Sequence, residues 1–232
     1  EQVVKLVDGV MGGEPAPTDI QMAITPYFLK SQEQRTFVPF VLEVKGAPAA
    51  DAALYIRVVD PAAEPDPKAK KVEYPWDDVH FVPAAQLASG RLNRVFMAAP
   101  GTYDVYLAIK ERLPEKAPKS QVAKMGVLKQ QVVVPDFQNA ELSMSSVFVT
   151  DNVNMLSSPV SAEESRERPF VFGAQELIPA ADMDFAKSEE LSIFFQVYNA
   201  GLDQAGKPNI LMEYEFHKKE GSEEKFFNRL RG

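Results

Sequence analysis

An all-β fold is predicted by three features of the sequence. Short segments alternate apolar and polar residues with a period of two, as half-buried strands do. They recur at roughly the 8–12-residue spacing of a sandwich. The 18 prolines outnumber the 12 glycines. Proline lacks a backbone donor and clashes inside helices and central strands, so this many implies numerous loops, edges and strand starts. With 232 residues, 45% of them hydrophobic, the chain can fill one large core or two ordinary ones.

Residues 1–10 (EQVVKLVDGV) carry Val3, Val4, Leu6 and Val7 and read as a strand-forming arm. Gly12, Gly13, Pro15 and Pro17 make the stretch up to residue 19 a linker. Residues 37–45 (FVPFVLEVK) place Val38, Phe40, Leu42 and Val44 on one face, and residues 53–60 do the same with Leu54, Ile56 and Val58. A proline- and lysine-rich loop, PAAEPDPKAKK, comes next. Residues 79–82 and 92–98 read as short strands, with PAAQLASGRL as the best helix candidate, too short to stand alone. Residues 102–110 put Tyr103, Val105, Leu107 and Ile109 on one face and form a hairpin with 122–134 across the long tip ERLPEKAPKS.

The pattern stops at Pro135-Asp136 and restarts. The expected organisation is therefore an arm and linker (1–19), one β-sandwich over 20–135 and a second over 136–232. Both sandwiches are expected to be of the immunoglobulin-like or fibronectin-like kind. Strands are expected in the second within 142–150, 170–179, 191–199, 210–217 and 225–230. That is about five where a complete sandwich has about seven. A missing strand leaves an unpaired edge, and the arm has the right length to cover one.

Net charge is −8, which opposes binding to nucleic acid, because phosphate recognition needs clustered Lys and Arg. Without cysteine there is no disulfide framework, thiolate zinc site or cysteine nucleophile. No apolar run approaches the roughly 20 residues that span a bilayer. The sequence begins at Glu1 rather than Met, as a processed or excised product would, and a removed secretion signal would place it outside the cytoplasm. Bases predominate over 110–129 and acids over 136–190. Scattered charge on soluble loops accounts for this; attraction between subunits is the other reading.

Few residues suggest chemistry. His80 and His217 lie in different expected units, with no HxH or HExxH pattern, and read as surface strand residues. No G-x-S-x-G elbow, Walker loop or dinucleotide fingerprint occurs. Adjacent acids such as Asp77-Asp78 point to opposite faces of a strand and do not converge. Asp182 and Asp184, as loop carboxylates at i and i+2, are the best calcium candidate but lack the remaining ligands. No metal site, cofactor or catalytic residue is expected. Trp76, in YPWDD, either stacks on a sugar ring or plugs a sandwich end.

The succession GTYDVYLAIK, LKQQVVVPDF, LSMSSVFV, IPAADMDFAKSEELSIFFQVYNA and GKPNILMEYEFHK, across residues 18–217, resembles the β-sandwich region downstream of the A domain in bacterial von Willebrand factor A-related proteins. The resemblance implies export and an immunoglobulin-like fold, and it transfers no catalytic residue. An A domain holds its metal with Asp-x-Ser-x-Ser. The nearest match here, Glu141-Leu142-Ser143-Met144-Ser145, has Glu for Asp and lies within an alternating strand.

A non-enzymatic structural or assembly protein is therefore expected, secreted or exposed at the cell envelope. Its partner would be protein, either a further copy or an envelope component. In the fullest version Val3, Val4, Leu6 and Val7 of one copy complete the second sandwich of the next, a heterologous contact that propagates into a ring or filament. The arm pairing within its own first sandwich is the intramolecular counterpart. The other expectation is a monomeric glycan- or protein-binding module with Trp76 as a ligand contact.

Overall fold

A computed structural model of the chain describes residues 2–64, 72–118 and 120–231. Glu1 of the expected arm, most of the PAAEPDPKAKK loop, Lys119 and Gly232 lie outside the described residues. Helix α1 (Gln2–Met11) is followed by β1 (Gln21–Pro26), β2 (Leu29–Lys30), β3 (Thr36–Lys45), β4 (Ala52–Val59) and β5 (Trp76–Val82). Then come the single turn α2 (Ala84–Leu87), β6 (Arg91–Ala98), β7 (Gly101–Glu111) and β8 (Met125–Val134). The rest is finer grained: β9 (Ser143–Met144), β10 (Phe148–Thr150), β11 (Asn152–Met155), α3 (Glu164–Glu167), β12 (Val171–Phe172), β13 (Gln175–Ile178), β14 (Ser192–Phe194), β15 (Val197–Tyr198), β16 (Glu213–Glu220) and β17 (Glu223–Arg231).

The first eight strands make one β-sandwich. One sheet runs β5-β4-β7-β8; the other centres on β3, flanked by β6 on one side and by β1 and β2 on the other. Alternation decides what lies between them. Val38, Phe40, Leu42 and Val44 of β3 meet Leu54, Ile56 and Val58 of β4 and Val105, Leu107 and Ile109 of β7 in the largest buried cluster. Pro39 sits mid-strand without harm. The neighbouring strand breaks between Pro26 and Leu29, so no ladder donor is needed there, while the Pro39 carbonyl still accepts from Tyr27 N at 2.8 Å.

The N-terminal segment is a helix, not a strand-forming arm. Val3, Val4, Val7 and Val10 follow the i, i+1, i+4, i+7 spacing of one helical face. Val3 and Val7 are buried against Tyr55, Tyr106 and Ala108 on the outer face of the first sheet. Ala53 and Ala108 leave the room that a helix needs there. The helix ends in a Schellman motif: Gly13 is left-handed (φ 99°), its N–H reaches Val10 O at 3.1 Å, and Glu14 N reaches Gly9 O at 2.9 Å. Buried Arg57 fastens it from below, with Nη1 2.6 Å from Asp8 Oδ1, Nε donating to Tyr55 Oη at 2.7 Å, and the Tyr74 ring 4.2 Å away. Burial pushes the Tyr55 phenol up to about 12, so it stays a neutral partner.

After residue 135, where a second sandwich is expected, the described strands form small sheets: β10-β14, β11-β13-β12, β15-β9 and the hairpin β16-β17. Their aromatic residues do not close on themselves. Phe148, Phe170 and Leu177 share a buried cluster with Leu29 and Val41 from the outer face of the β3 sheet. Tyr27 stacks on Phe148 with centroids 4.7 Å apart, and Phe172 on Phe194 at the same distance. Hydrogen bonds cross the same seam: Ser146 N donates to Phe28 O at 2.9 Å, and Lys30 N donates to the Tyr198 hydroxyl at 3.0 Å. The second region thus uses the sandwich as its floor. Three layers rest on one molecule: helix, sandwich, and a cap of short strands.

Candidate assembly surface

Where the cap turns toward the C-terminal hairpin, an apolar groove of about 570 Å³ opens. Leu142 and Met144 border it from β9 and its approach, Ile193 from β14, and Ile210, Leu211 and Tyr214 from the run into β16. The side chains are not covered: Leu142 is 66% exposed and Leu211 72%. Local sequence explains the opening. Residues 191–199 are strongly apolar, yet they split into β14 and β15 with Phe195-Gln196 between them, because Gln196 N turns to donate to Ser145 Oγ at 2.9 Å. Each half pairs with only one short strand, so the groove lacks a second wall. The hydroxyl of Ser143, buried in the groove wall, has no hydrogen-bond partner.

The groove runs directly into the hairpin. Strands β16 and β17 pair with each other and with no other described strand. The register places Tyr214 opposite Leu230 and Phe216 opposite Asn228, so Tyr214, Phe216 and Leu230 share a face. Glu213, Glu215 and Arg229 hold the other face, where Arg229 pairs with both glutamates. The hairpin is therefore amphipathic, with Phe216 44% and Leu230 55% exposed on its apolar side. Tyr214 belongs to both that side and the groove. A two-stranded hairpin is marginal alone in water, and this one presents an apolar ridge beside an apolar trough.

A polar cluster lies at the rim of the sandwich between β5 and β6. Asp78 and His80 point inward from β5, with Nε2 of His80 3.5 Å from Asp78 Oδ2. Arg94, 2% exposed, points inward from β6 toward Gln86 of α2 and Glu167 of α3, 3.4 and 3.8 Å away. Arg166 of α3 lies 3.5 Å from Asp78. His80 is thus not the surface residue expected; its side chain is 9% exposed and burial pushes its pKa down. His217 is on the exposed hairpin as expected, 3.3 Å from Glu215.

The remaining sequence candidates separate. Val3 and Val7 are buried within their own subunit and Val4 and Leu6 half-buried on the same helix, so none is an extended donor segment. Trp76, partly buried, packs its ring against the sandwich core, with its indole N–H buried and unpartnered. The carboxylate of Asp182 accepts from Asp184 N at 3.0 Å, a local turn. Among the described residues no group of three His, Cys, Asp or Glu is placed to hold a metal, and no helix is long and apolar enough to cross a membrane. Comparison with known protein families, characterised proteins and solved structures finds no match to this chain.

Proposed function

We propose that the chain is a non-enzymatic assembly module, working outside the cytoplasm or at the cell envelope, whose copies associate through the groove and the adjoining hairpin face. The observation that carries this reading is the juxtaposition of ridge and trough on one side of the molecule: Tyr214, Phe216 and Leu230 beside Leu142, Ile193 and Leu211. A two-fold axis lays the ridge of each copy in the trough of the other, so the surface is its own complement. A whole aliphatic side chain removes roughly 60–120 Å² of apolar area from water. The exposed parts of these residues then leave roughly 200–400 Å² per copy, within the range of a monomer's largest patch. Two such faces bury roughly 400–800 Å² of apolar area, the scale of a weak, concentration-dependent contact below the roughly 1,200 Å² of stable interfaces.

The export expected from the sequence resemblance supports the placement. The connector role foreseen for residues 1–10 is not carried forward, because the segment is a docked helix.

Hydrogen exchange at two protein concentrations tests the reading. Amides of β16 and β17 are expected to exchange about tenfold more slowly at ~200 μM than at ~2 μM, and Phe216→Asp is expected to remove the difference. Concentration-independent exchange in the native chain would overturn it.

A further inference from the structure

We propose that the joint between the sandwich rim and helix α3 is a proton-operated latch, closed while His80 is neutral and released when His80 takes a proton. This lies beyond the assembly reading and is independent of it. At this joint α3 meets the sandwich through polar groups. Arg94 reaches across to Glu167, Gln86 Nε2 donates to the same carboxylate at 3.4 Å, and Arg166 returns to Asp78. All three contacts are long, and Nε of Arg94 and Nε2 of His80 are buried with no hydrogen-bond partner. A joint with loose pairs and orphaned donors is held by a narrow margin.

His80 sits at its centre. Facing it are Asp78 from its own strand, Arg94 from β6, and Glu167 and Arg166 from α3. Two carboxylates favour the imidazolium and two guanidinium groups oppose it. With the charges offsetting, burial decides, and it favours the neutral ring. The sign of the linkage follows. The closed joint binds the proton less well than the open one, whose histidine has the ordinary value of 6.5. Closure is at full strength above that value and weakens as pH falls below it.

The geometry sets what moves. Leu156 N bonds to Ala174 O at 2.8 Å, and Phe170, 1% exposed, accepts from Leu177 N at 2.9 Å. Both ends of the 156–170 segment are thus pinned. Between them α3 has no buried residue. Acid therefore lifts α3 as a flap over an otherwise intact core.

Trp76, the lone tryptophan, shares the inward face of β5 with Asp78 and His80 and reports on the rim without a label. Between pH 7.5 and 5.5 its emission is expected to move to the red reversibly, and amides 161–168 to exchange about tenfold faster. His80→Gln is expected to make both readouts flat over this range. An unchanged native chain, or a His80→Gln chain with the same transition, would overturn the proposal. Should His80→Gln not fold, the imidazole proton resonances of the native chain decide. The Trp76 change must track the titration of His80; a change that tracks His217 instead refutes the latch.

Discussion

Arg57 shows how much one buried charge organises. It lies on the outer face of β4, where the alternation would otherwise expose it, and is 3% exposed because α1 covers it. Its partners Asp8, Tyr55 and Tyr74 come from three segments. Truncating one partner of a buried pair strands the others, but Asp8 is half-solvated, which softens the loss. Arg57→Leu is expected to cost about 2 kcal/mol in urea unfolding and to reduce the helical signal in circular dichroism. A second pair sets the acid limb of stability. Arg168 grips Glu176 through two bonds of 2.8 and 2.7 Å and holds its carboxyl below the ordinary 4.5. Because the folded value is depressed, this contribution is whole above about 4.5 and fades as pH falls through the lower folded value. Glu176→Gln should flatten the fall in melting temperature below pH 4.5.

At the scale of elements, strands were legible where alternation was strong. Residues 37–45, 53–60 and 102–110 fall within or against β3, β4 and β7, with the inward faces as read. The helix at Gln2–Met11 was not, because four valines weigh toward β-structure while their spacing fits a helical face, and only the alanines of a distant sheet settle which wins. The groove was half visible. The shortage of strands after 135 predicted an open edge, but the split of 191–199 depends on Ser145 capturing Gln196, a contact between residues far apart in sequence. Gly126 was silent too. It faces the stretch that crosses from β8 to β1, where Val127 N meets Pro17 O and Ile20 N meets Met125 O. A Cβ on Gly126 would fall on the Ile20 carbonyl. Gly126→Ala is expected to cost about 1–3 kcal/mol through backbone displacement, read by thermal unfolding.

For the whole molecule, the boundary at Pro135 is a change of architecture rather than a break between independent cores. Thr36 Oγ1, fully buried, donates to Pro135 O at 2.8 Å and binds the cap to the sandwich where the chain passes between them. The cap's aromatic cluster is floored by Leu29 and Val41, so the two regions are expected to unfold together. The groove and the hairpin bring exposed apolar side chains together, Leu142, Ile193, Leu211, Phe216 and Leu230 among them, while others such as Phe81, Val122 and Val133 lie elsewhere. The proposed contact between copies is at the groove and the hairpin. The most direct test of that claim is sedimentation velocity of the native chain and of Leu211→Asp from ~1 to ~200 μM. The account predicts that the native chain passes from monomer to dimer across this range. Leu211→Asp, with its melting temperature unchanged, should stay monomeric. A native chain that remains monomeric throughout, or a variant that still dimerises, would contradict it.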